Sequence, residues 1–322
     1  MQSKRILAAA VAPLFLGAIS VLAAGEATPA APAAAPAPPA VQPAKGEYTF
    51  TAAAGGSYMF ETNIDEGGKF SRARAGLQLS LDTRCTDELL VQNRLTYTYD
   101  DYNFSDTSAD PWTKVHTLIY AMLLDYKIDD TWTVFGGPLL GFAAEDGADW
   151  GESFIPGVAV GARYRFNPDL VVGLGVAGVQ QIEGDFTVLP ILLLDWRIND
   201  QITIRNSSPI PGVTQGWMGL EGIWNFADGW DAGIGAQIEK SRFRLSDGND
   251  IPAAKGGVGQ VTGVPIYARL DWKPNSQVTV SGFAGAIAGG ELKLEDEDGH
   301  SLGDEVDYDP GVLIGATISF RQ

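Results

Sequence analysis

The stretch Asp195-Trp196-Arg197-Ile198-Asn199-Asp200-Gln201-Ile202-Thr203-Ile204 decides the fold, because it joins two alternating segments through a very short connection. The first alternation ends at an aromatic residue, and the second begins directly after Asn199 and Asp200. Asn and Asp favour turns because their side chains accept hydrogen bonds from the backbone just ahead of them. The stretch therefore predicts a tight β-hairpin.

The same frame recurs along the chain, at residues 125–134, 163–172, 223–232 and 271–280, with a longer sixth copy from 81 to 89. The steps between copies are uneven, so the turns are uniform while the segments between them vary, which excludes a solenoid. An aromatic or leucine precedes every turn: Leu81, Tyr126, Tyr164, Trp196, Trp224 and Trp272. Short turns at one end, variable loops at the other and aromatics at the membrane interface are typical of transmembrane barrels. The sequence predicts an all-β, antiparallel, up-and-down transmembrane β-barrel.

Three segments divide the chain. Residues 1–24 have the features of a secretory signal peptide: two basic residues, an apolar run and small residues at the cleavage site. Residues 25–46 are rich in Ala and Pro, a composition that cannot bury a core, and are expected to form a disordered periplasmic spacer. Residues 47–322 are expected to form the barrel.

Composition narrows the class of protein further. The net charge is −18, so binding of nucleic acid is not expected. The lone Cys85 excludes an intramolecular disulfide framework. Hydropathy is neutral although no second apolar run is long enough for a transmembrane helix. Apolar residues must therefore be dispersed in alternation, as in a membrane barrel.

Fourteen strands are expected from residue 47 onward, with twelve as the second count because the ninth, residues 201–206, is short. An even count leaves both termini on the side of the short turns, which is the periplasmic side in bacterial barrels. In the last strand Val312, Ile314, Ile318 and Phe320 share one face, whereas Gly315, Thr317 and Ser319 share the other. Alternation assigns the first set to lipid and the second to the lumen.

This terminal strand resembles those of bacterial outer-membrane proteins, in which alternating apolar residues that end in an aromatic are read by the barrel insertion machinery. Arg321 and Gln322 follow Phe320 here, which departs from a strictly terminal aromatic. As architecture, residues 47–322 resemble monomeric fourteen-stranded porins of the OmpG type, within an uncharacterised family of outer-membrane barrels. The resemblance implies a Gram-negative outer-membrane location, with lipid, lipopolysaccharide and the insertion machinery as partners.

Charged residues at the inward-facing alternate positions of the strands mark the candidate site. Arg or Lys on the lipid face costs about 2 to 4 kcal/mol at the bilayer centre, so these residues are expected to line the lumen. The candidate lumen residues are Arg72, Arg74, Arg94, Arg163, Arg165, Arg197, Arg205, Arg269, Asp195, Glu221 and Asp271. The candidate membrane-interface aromatics are Tyr126, Tyr164, Trp196, Trp224 and Trp272.

These residues favour a porin-like transport channel for small hydrophilic solutes, selected by arginines in the lumen. One alternative is a closed barrel that acts structurally or through acidic outer loops. The other is a transporter of apolar ligands, as in the FadL type, because inward positions such as Leu189, Ile191 and Leu193 are apolar. That type carries an ordered N-terminal plug, which the Ala/Pro segment does not resemble.

Other chemistry is not expected. Gly173 to Gly178 matches the dinucleotide pattern G-x-G-x-x-G, but no helix follows it, so the match is a coincidence. His116 and His300 stand in no hydrolase motif, and no enzyme activity, cofactor or metal site is expected.

Residues 291–309 carry nine acids, which indicates a solvated, mobile loop. Bridging of Ca²⁺ by this loop is a weaker hypothesis, because EF-hand spacing is absent.

Overall fold

A computed structural model describes residues 44–65, 67–207, 209–216 and 218–322 of the chain. The expected signal peptide and residues 25–43 of the expected spacer lie outside the described residues. Alternating sequence becomes strand throughout: β1 Tyr48–Asn63, β2 Lys69–Arg84, β3 Leu89–Ser105, β4 Lys114–Lys127, β5 Trp132–Glu145, β6 Phe154–Asn167, β7 Leu170–Gln180, β8 Phe186–Arg197, β9 Ile202–Asn206, β10 Met218–Ala227, β11 Trp230–Arg244, β12 Val258–Trp272, β13 Val278–Glu295, β14 Val306–Tyr308 and β15 Gly311–Arg321. Two 3₁₀ turns, Gly151–Ser153 and Pro252–Ala254, lie in connecting loops.

The strands close into a barrel. Each wall strand pairs antiparallel with its neighbour in the sequence, and β1 pairs with β15 from Thr51↔Arg321 to Met59↔Leu313. The short β14 pairs with the loop end of β13 and forms one bridge to Ile64, outside the closed ring of strands, so the wall contains fourteen strands. The predicted fold class and count are confirmed, and the second count of twelve is wrong. We call the two ends of the barrel the turn end and the loop end.

The recurring frame forms the turns. Oδ1 of Asn199 accepts the backbone N–H groups of Gln201 and Ile202 at 2.9 and 2.8 Å. Asp129 and Asn275 accept in the same way from the residue before the next strand and from the first residue of that strand. One carboxylate or amide oxygen thereby satisfies the backbone donors that a reversal leaves free.

Several elements differ from expectation. β3 continues to Ser105 rather than ending near residue 100. β10 begins at Met218 rather than near residue 214, because the preceding residues turn into the barrel. β13 continues to Glu295, and β14 pairs with it at Gly290, Glu291 and Leu292. The first part of the acidic loop is therefore paired strand. A register shift near Ala288 turns Leu292 into the core, and Leu294 packs against that core.

The outer surface of the wall is apolar. Outward residues such as Val160, Leu174, Ile234 and Ile318 leave half or more of their surface exposed. An exposed apolar patch of this extent is unusual for a soluble monomer and typical of a lipid-facing surface. Among the residues that the structure describes, no helix is long and apolar enough to cross a membrane.

Candidate transport path

A buried ion cluster crosses the lumen near its centre. Arg74 on β2 bonds to Asp100 at 2.6 Å and to Glu239 on β11 at 2.7 Å, and Arg72 bonds to Glu239 at 3.1 Å. Four strands separate β2 from β11 by the shorter way round the wall, so these bonds span the lumen. Removing one partner of a buried pair costs about 3 to 5 kcal/mol, because it leaves an uncompensated charge. The cluster therefore fastens two distant parts of the wall to each other.

Aromatic side chains fill the lumen between this cluster and the loop end. The ring of Trp112 packs edge-on against Phe243 at 5.3 Å and against Phe104 at 5.7 Å. Phe70 and Tyr308 join the same core. This layer leaves no straight passage on the side of the barrel formed by β2, β1, β15, β13, β12 and β11.

The tip of β11 remains paired with β12 and also reaches β5, which closes part of the loop end. Arg244 pairs in parallel with Ala144 at the tip of β5, although five strands lie between β5 and β11. The Arg244 guanidinium bonds to Glu183 at 2.5 Å and to the carbonyl of Gly256 at 2.7 Å. The buried Glu145 carboxylate accepts the backbone N–H of Ser246 at 2.9 Å. Two carboxylates and one backbone carbonyl thus hold the tip across the mouth.

The loop between β9 and β10 folds into the lumen. Gly212, with φ of +70°, lies against Gly55 and Gly76 on the opposite wall. A Cβ on either wall glycine would overlap the backbone of Pro211 or Gly212. The backbone N–H of Gln215 donates to Glu239 at 3.3 Å, which joins the loop to the ion cluster.

The opposite side of the lumen, along β4 to β8, remains open. Ile119 points inward, because it shares the parity of the buried Val115, Thr117 and Asp125, yet 43% of its surface is exposed. Leu139, Leu189, Ile191 and Leu193 are half-buried on the same inner side. These five residues form an accessible apolar surface on the inner wall, which we call the apolar stripe.

At the turn end this side widens into a cavity of about 560 Å³, which we call the vestibule. Its walls carry four basic residues, Arg84, Lys127, Arg163 and Arg165, and six acidic residues, Asp87, Glu88, Asp125, Asp129, Asp130 and Asp195. Arg163 bonds to Asp125 at 2.9 Å and lies over the ring of Phe135. Lys127 bonds to Asp130 at 2.6 Å and holds the pKa of that exposed carboxyl below its usual value. The vestibule is polar and slightly acidic overall.

The structure separates the predicted lumen residues into groups. Arg163, Arg165 and Asp195 line the vestibule, whereas Arg72 and Arg74 are buried in the ion cluster. Arg269 bonds to Glu221 at 2.7 Å and to Asp271 at 3.3 Å, and Arg205 lies 3.8 Å from Glu221. Arg197 bonds to Asp169 at the turn end, and Arg94 is exposed on the inner side of β3. Burial of the two central arginines argues against a continuous row along the path.

Sequence reasoning missed Asp100 and the tip of β11. Asp100 shares the inward parity of Arg94 on β3, which is a signal that was available. Pairing across the barrel carries no such signal, because it depends on the curvature of the wall. The predicted interface aromatics lie on the outward face beside the turns, and Tyr126, Trp196, Trp224 and Trp272 are exposed.

The remaining motifs have structural partners. The Phe135 ring lies over Gly161 and Gly175, and a Cβ on Gly173 would approach the stem of Arg163, so the glycines of the G-x-G-x-x-G match leave room for inward side chains. His116 lies on the outer wall, with Nδ1 2.7 Å from the Tyr97 hydroxyl and Nε2 2.7 Å from Asp146.

The acidic loop is ordered by one of its own carboxylates. Asp296 accepts the backbone N–H groups of His300 at 2.8 Å and of Asp298 at 3.1 Å, and these bonds lower the pKa of Asp296. In the described part of the chain no three His, Cys, Asp or Glu side chains converge as a metal site would require.

No family model matches this chain, and no curated protein matches it. Among solved structures it is similar to an outer membrane channel from Pseudomonas putida F1, at 9% identity and a TM-score of 0.46, over 88% of this chain and 100% of that one. It is also similar to a Pseudomonas aeruginosa FadL homologue, at 9% identity and a TM-score of 0.46, over 85% and 90%. A third likeness is to the NanC porin, at 12% identity and a TM-score of 0.34, over 84% and 98%. Identities and TM-scores this low carry no argument about a solute.

Proposed function

We propose that this chain is a channel of the Gram-negative outer membrane for small solutes, rather than an enzyme. The observation that carries the proposal is the half-filled lumen, in which the β4–β8 side stays accessible and widens into the vestibule. A barrel built only as a scaffold has no physical reason to leave one side of its interior unpacked, because interiors normally pack densely.

Location and orientation belong to the same proposal. The signal-like segment, the apolar outer wall and the terminal strand that resembles an insertion signal support the outer membrane. With the short turns in the periplasm, both termini and the vestibule face that compartment. Outer-membrane lipid, lipopolysaccharide and the insertion machinery are the proposed partners.

Two solute classes have support from different residues. The mixed charges of the vestibule support small hydrophilic solutes, with zwitterionic or cationic groups favoured over anions because acids outnumber bases. The apolar stripe supports solutes that also carry an apolar part. Because both surfaces lie on the same open side, a solute with a polar and an apolar part satisfies both.

Single-channel conductance in planar bilayers tests the proposal. Replacing Ile119 by Trp places bulk on the open side and is expected to lower the conductance. Leu118→Trp is the matched control, because Leu118 faces outward and its enlargement leaves the lumen unchanged. An absence of conductance in the unaltered protein would support the closed structural barrel instead, and equal effects of the two variants would place the path elsewhere.

A further inference from the structure

The wall of the barrel is incomplete beside β8. Over its whole length β8 pairs with β7, from Leu170↔Trp196 to Gln180↔Phe186. On its other edge it pairs with β9 only at Asp195, Trp196 and Arg197. Among the described residues, 186–194 therefore have no strand partner on that side, because β9 ends at Asn206 and the chain turns into the lumen.

The strands across this gap also stop short. Pairing of β10 with β11 begins at Met218↔Ile238, and β11 continues beyond it to Arg244. That continuation leans into the barrel mouth and pairs with β5. The gap thus lies between β8 and the loop-end half of β11, which stays paired with β12 as far as Arg244↔Val258 but has no pairing with β10.

Specific side chains frame the opening. At its turn-end side Asn206 accepts the backbone N–H of Leu194 and donates to the carbonyl of Leu192 at 2.7 Å. At its loop-end side Arg242 donates to the carbonyls of Ile182 and Glu183 at 2.8 and 3.2 Å, which ties the β7–β8 loop to β11. The opening is therefore bounded at both ends by hydrogen bonds and open between them.

The exposed edge of β8 suits a wet or transiently occupied opening. The backbone N–H and C=O groups of successive residues point alternately to the two edges of a strand. The backbone groups of Val188 and Pro190 therefore point to the same edge as those of Leu192 and Leu194, which bond to Asn206. Pro190 has no N–H, which removes one donor from this edge. An unsatisfied sheet edge is not stable against hydrocarbon alone, so groups on this edge require water from the lumen or a polar ligand.

The opening lies at the level of the membrane. Val188 on its rim and Ile234 on the neighbouring wall point outward and are 60% and 57% exposed. On the inner side of β8 lie Leu189, Ile191 and Leu193, which belong to the apolar stripe that leads to the vestibule. An apolar surface therefore continues from the lipid side into the lumen.

We propose that this gap is a lateral portal, through which an amphipathic solute with one apolar segment passes between the bilayer and the lumen. The apolar segment crosses at β8 and lies along the apolar stripe, while the polar group reaches the vestibule. A zwitterionic or cationic group suits the vestibule better than an anionic one, because six acids face four bases there. The portal rests on the proposed channel function and adds the route and the solute class.

Fluorescence quenching tests the portal independently of conductance. In a Cys85→Ser background, single cysteines at Leu189, Ile191 and Thr96 are labelled with a bimane fluorophore, and each protein is reconstituted in liposomes. Thr96 is the control, because it points inward from a part of β3 that pairs with β2 on one edge and with β4 on the other. The quencher is a two-chain phosphocholine lipid with a nitroxide on one tail, which stays in the bilayer.

The label at position 189 or 191 is expected to lose fluorescence, while the label at position 96 keeps it. Equal fluorescence at all three positions would overturn the portal, even if the protein conducts ions. A single-chain phosphocholine with a nitroxide tail is then expected to quench a label at Leu193→Cys as well, and more strongly than its sulfate-headed analogue. Quenching at position 189 without any at position 193 would mean that only lipid tails enter the gap, and would overturn passage of the solute.

Discussion

At the residue scale, the vestibule depends on a close balance of charge. Arg163 neutralises Asp125, and Arg165 lies on the same wall. Replacing both arginines by Ala leaves two bases against six acids, so cations become enriched in the vestibule.

The Arg163→Ala/Arg165→Ala double variant is therefore expected to shift selectivity toward cations, measured as the reversal potential across a potassium chloride gradient. Lys69→Ala is a useful control, because it removes an exposed base at the loop end, outside the vestibule. An unchanged reversal potential in the double variant would place the vestibule outside the conduction path.

A second residue-scale prediction concerns Asp296 in the acidic loop. Its folded pKa lies below the ordinary value of 3.8, so its contribution to loop stability is present above that value and is lost as the pH falls through the lowered pKa. Hydrogen exchange of the His300 amide is expected to accelerate as the pH falls below the ordinary value of 3.8, beyond the intrinsic pH dependence of exchange.

Asp296→Ala should show fast exchange of the same amide already at neutral pH, because the acceptor is gone. Asp298→Ala should leave it slow, since only the backbone of Asp298 takes part in this turn. Identical exchange in the wild type and Asp296→Ala would contradict the proposed role of the carboxylate.

At the scale of elements, the β9–β10 loop is held inside the lumen by a close fit to glycine. Because a Cβ on Gly76 would overlap Gly212, Gly76→Val is expected to displace the loop from the wall and to raise the conductance. The control is Gly282→Val on the outward face of β13, where a Cβ meets no atom within 4 Å. Conductance that rises equally in both variants would point to a general loosening of the barrel.

At the scale of the whole molecule, closure of fourteen strands satisfies the backbone within one continuous sheet. Purified protein in detergent is expected to show a strand-dominated circular dichroism spectrum and to migrate differently on a gel before and after boiling, since the closed barrel resists detergent until it is heated. A helical spectrum, or a monomer that remains in solution without detergent, would contradict a membrane barrel.

The sequence by itself determined the fold class, the short turns, the strand count and the alternation of outward and inward residues within regular stretches of the wall. It could do so because hairpin chemistry is local and alternation has a period of two, so Asn199 and Trp196 carry their structural meaning within a few residues.

Only the tertiary structure decided which inward residues meet. Arg74 was predicted to face the lumen, but its burial depends on Glu239, which lies 165 residues away. The inward loop, the β5–β11 bridge and the gap beside β8 likewise arise from how the wall curves and where β9 and β10 stop. Contacts across the lumen depend on closure of the whole barrel, and no local pattern encodes them.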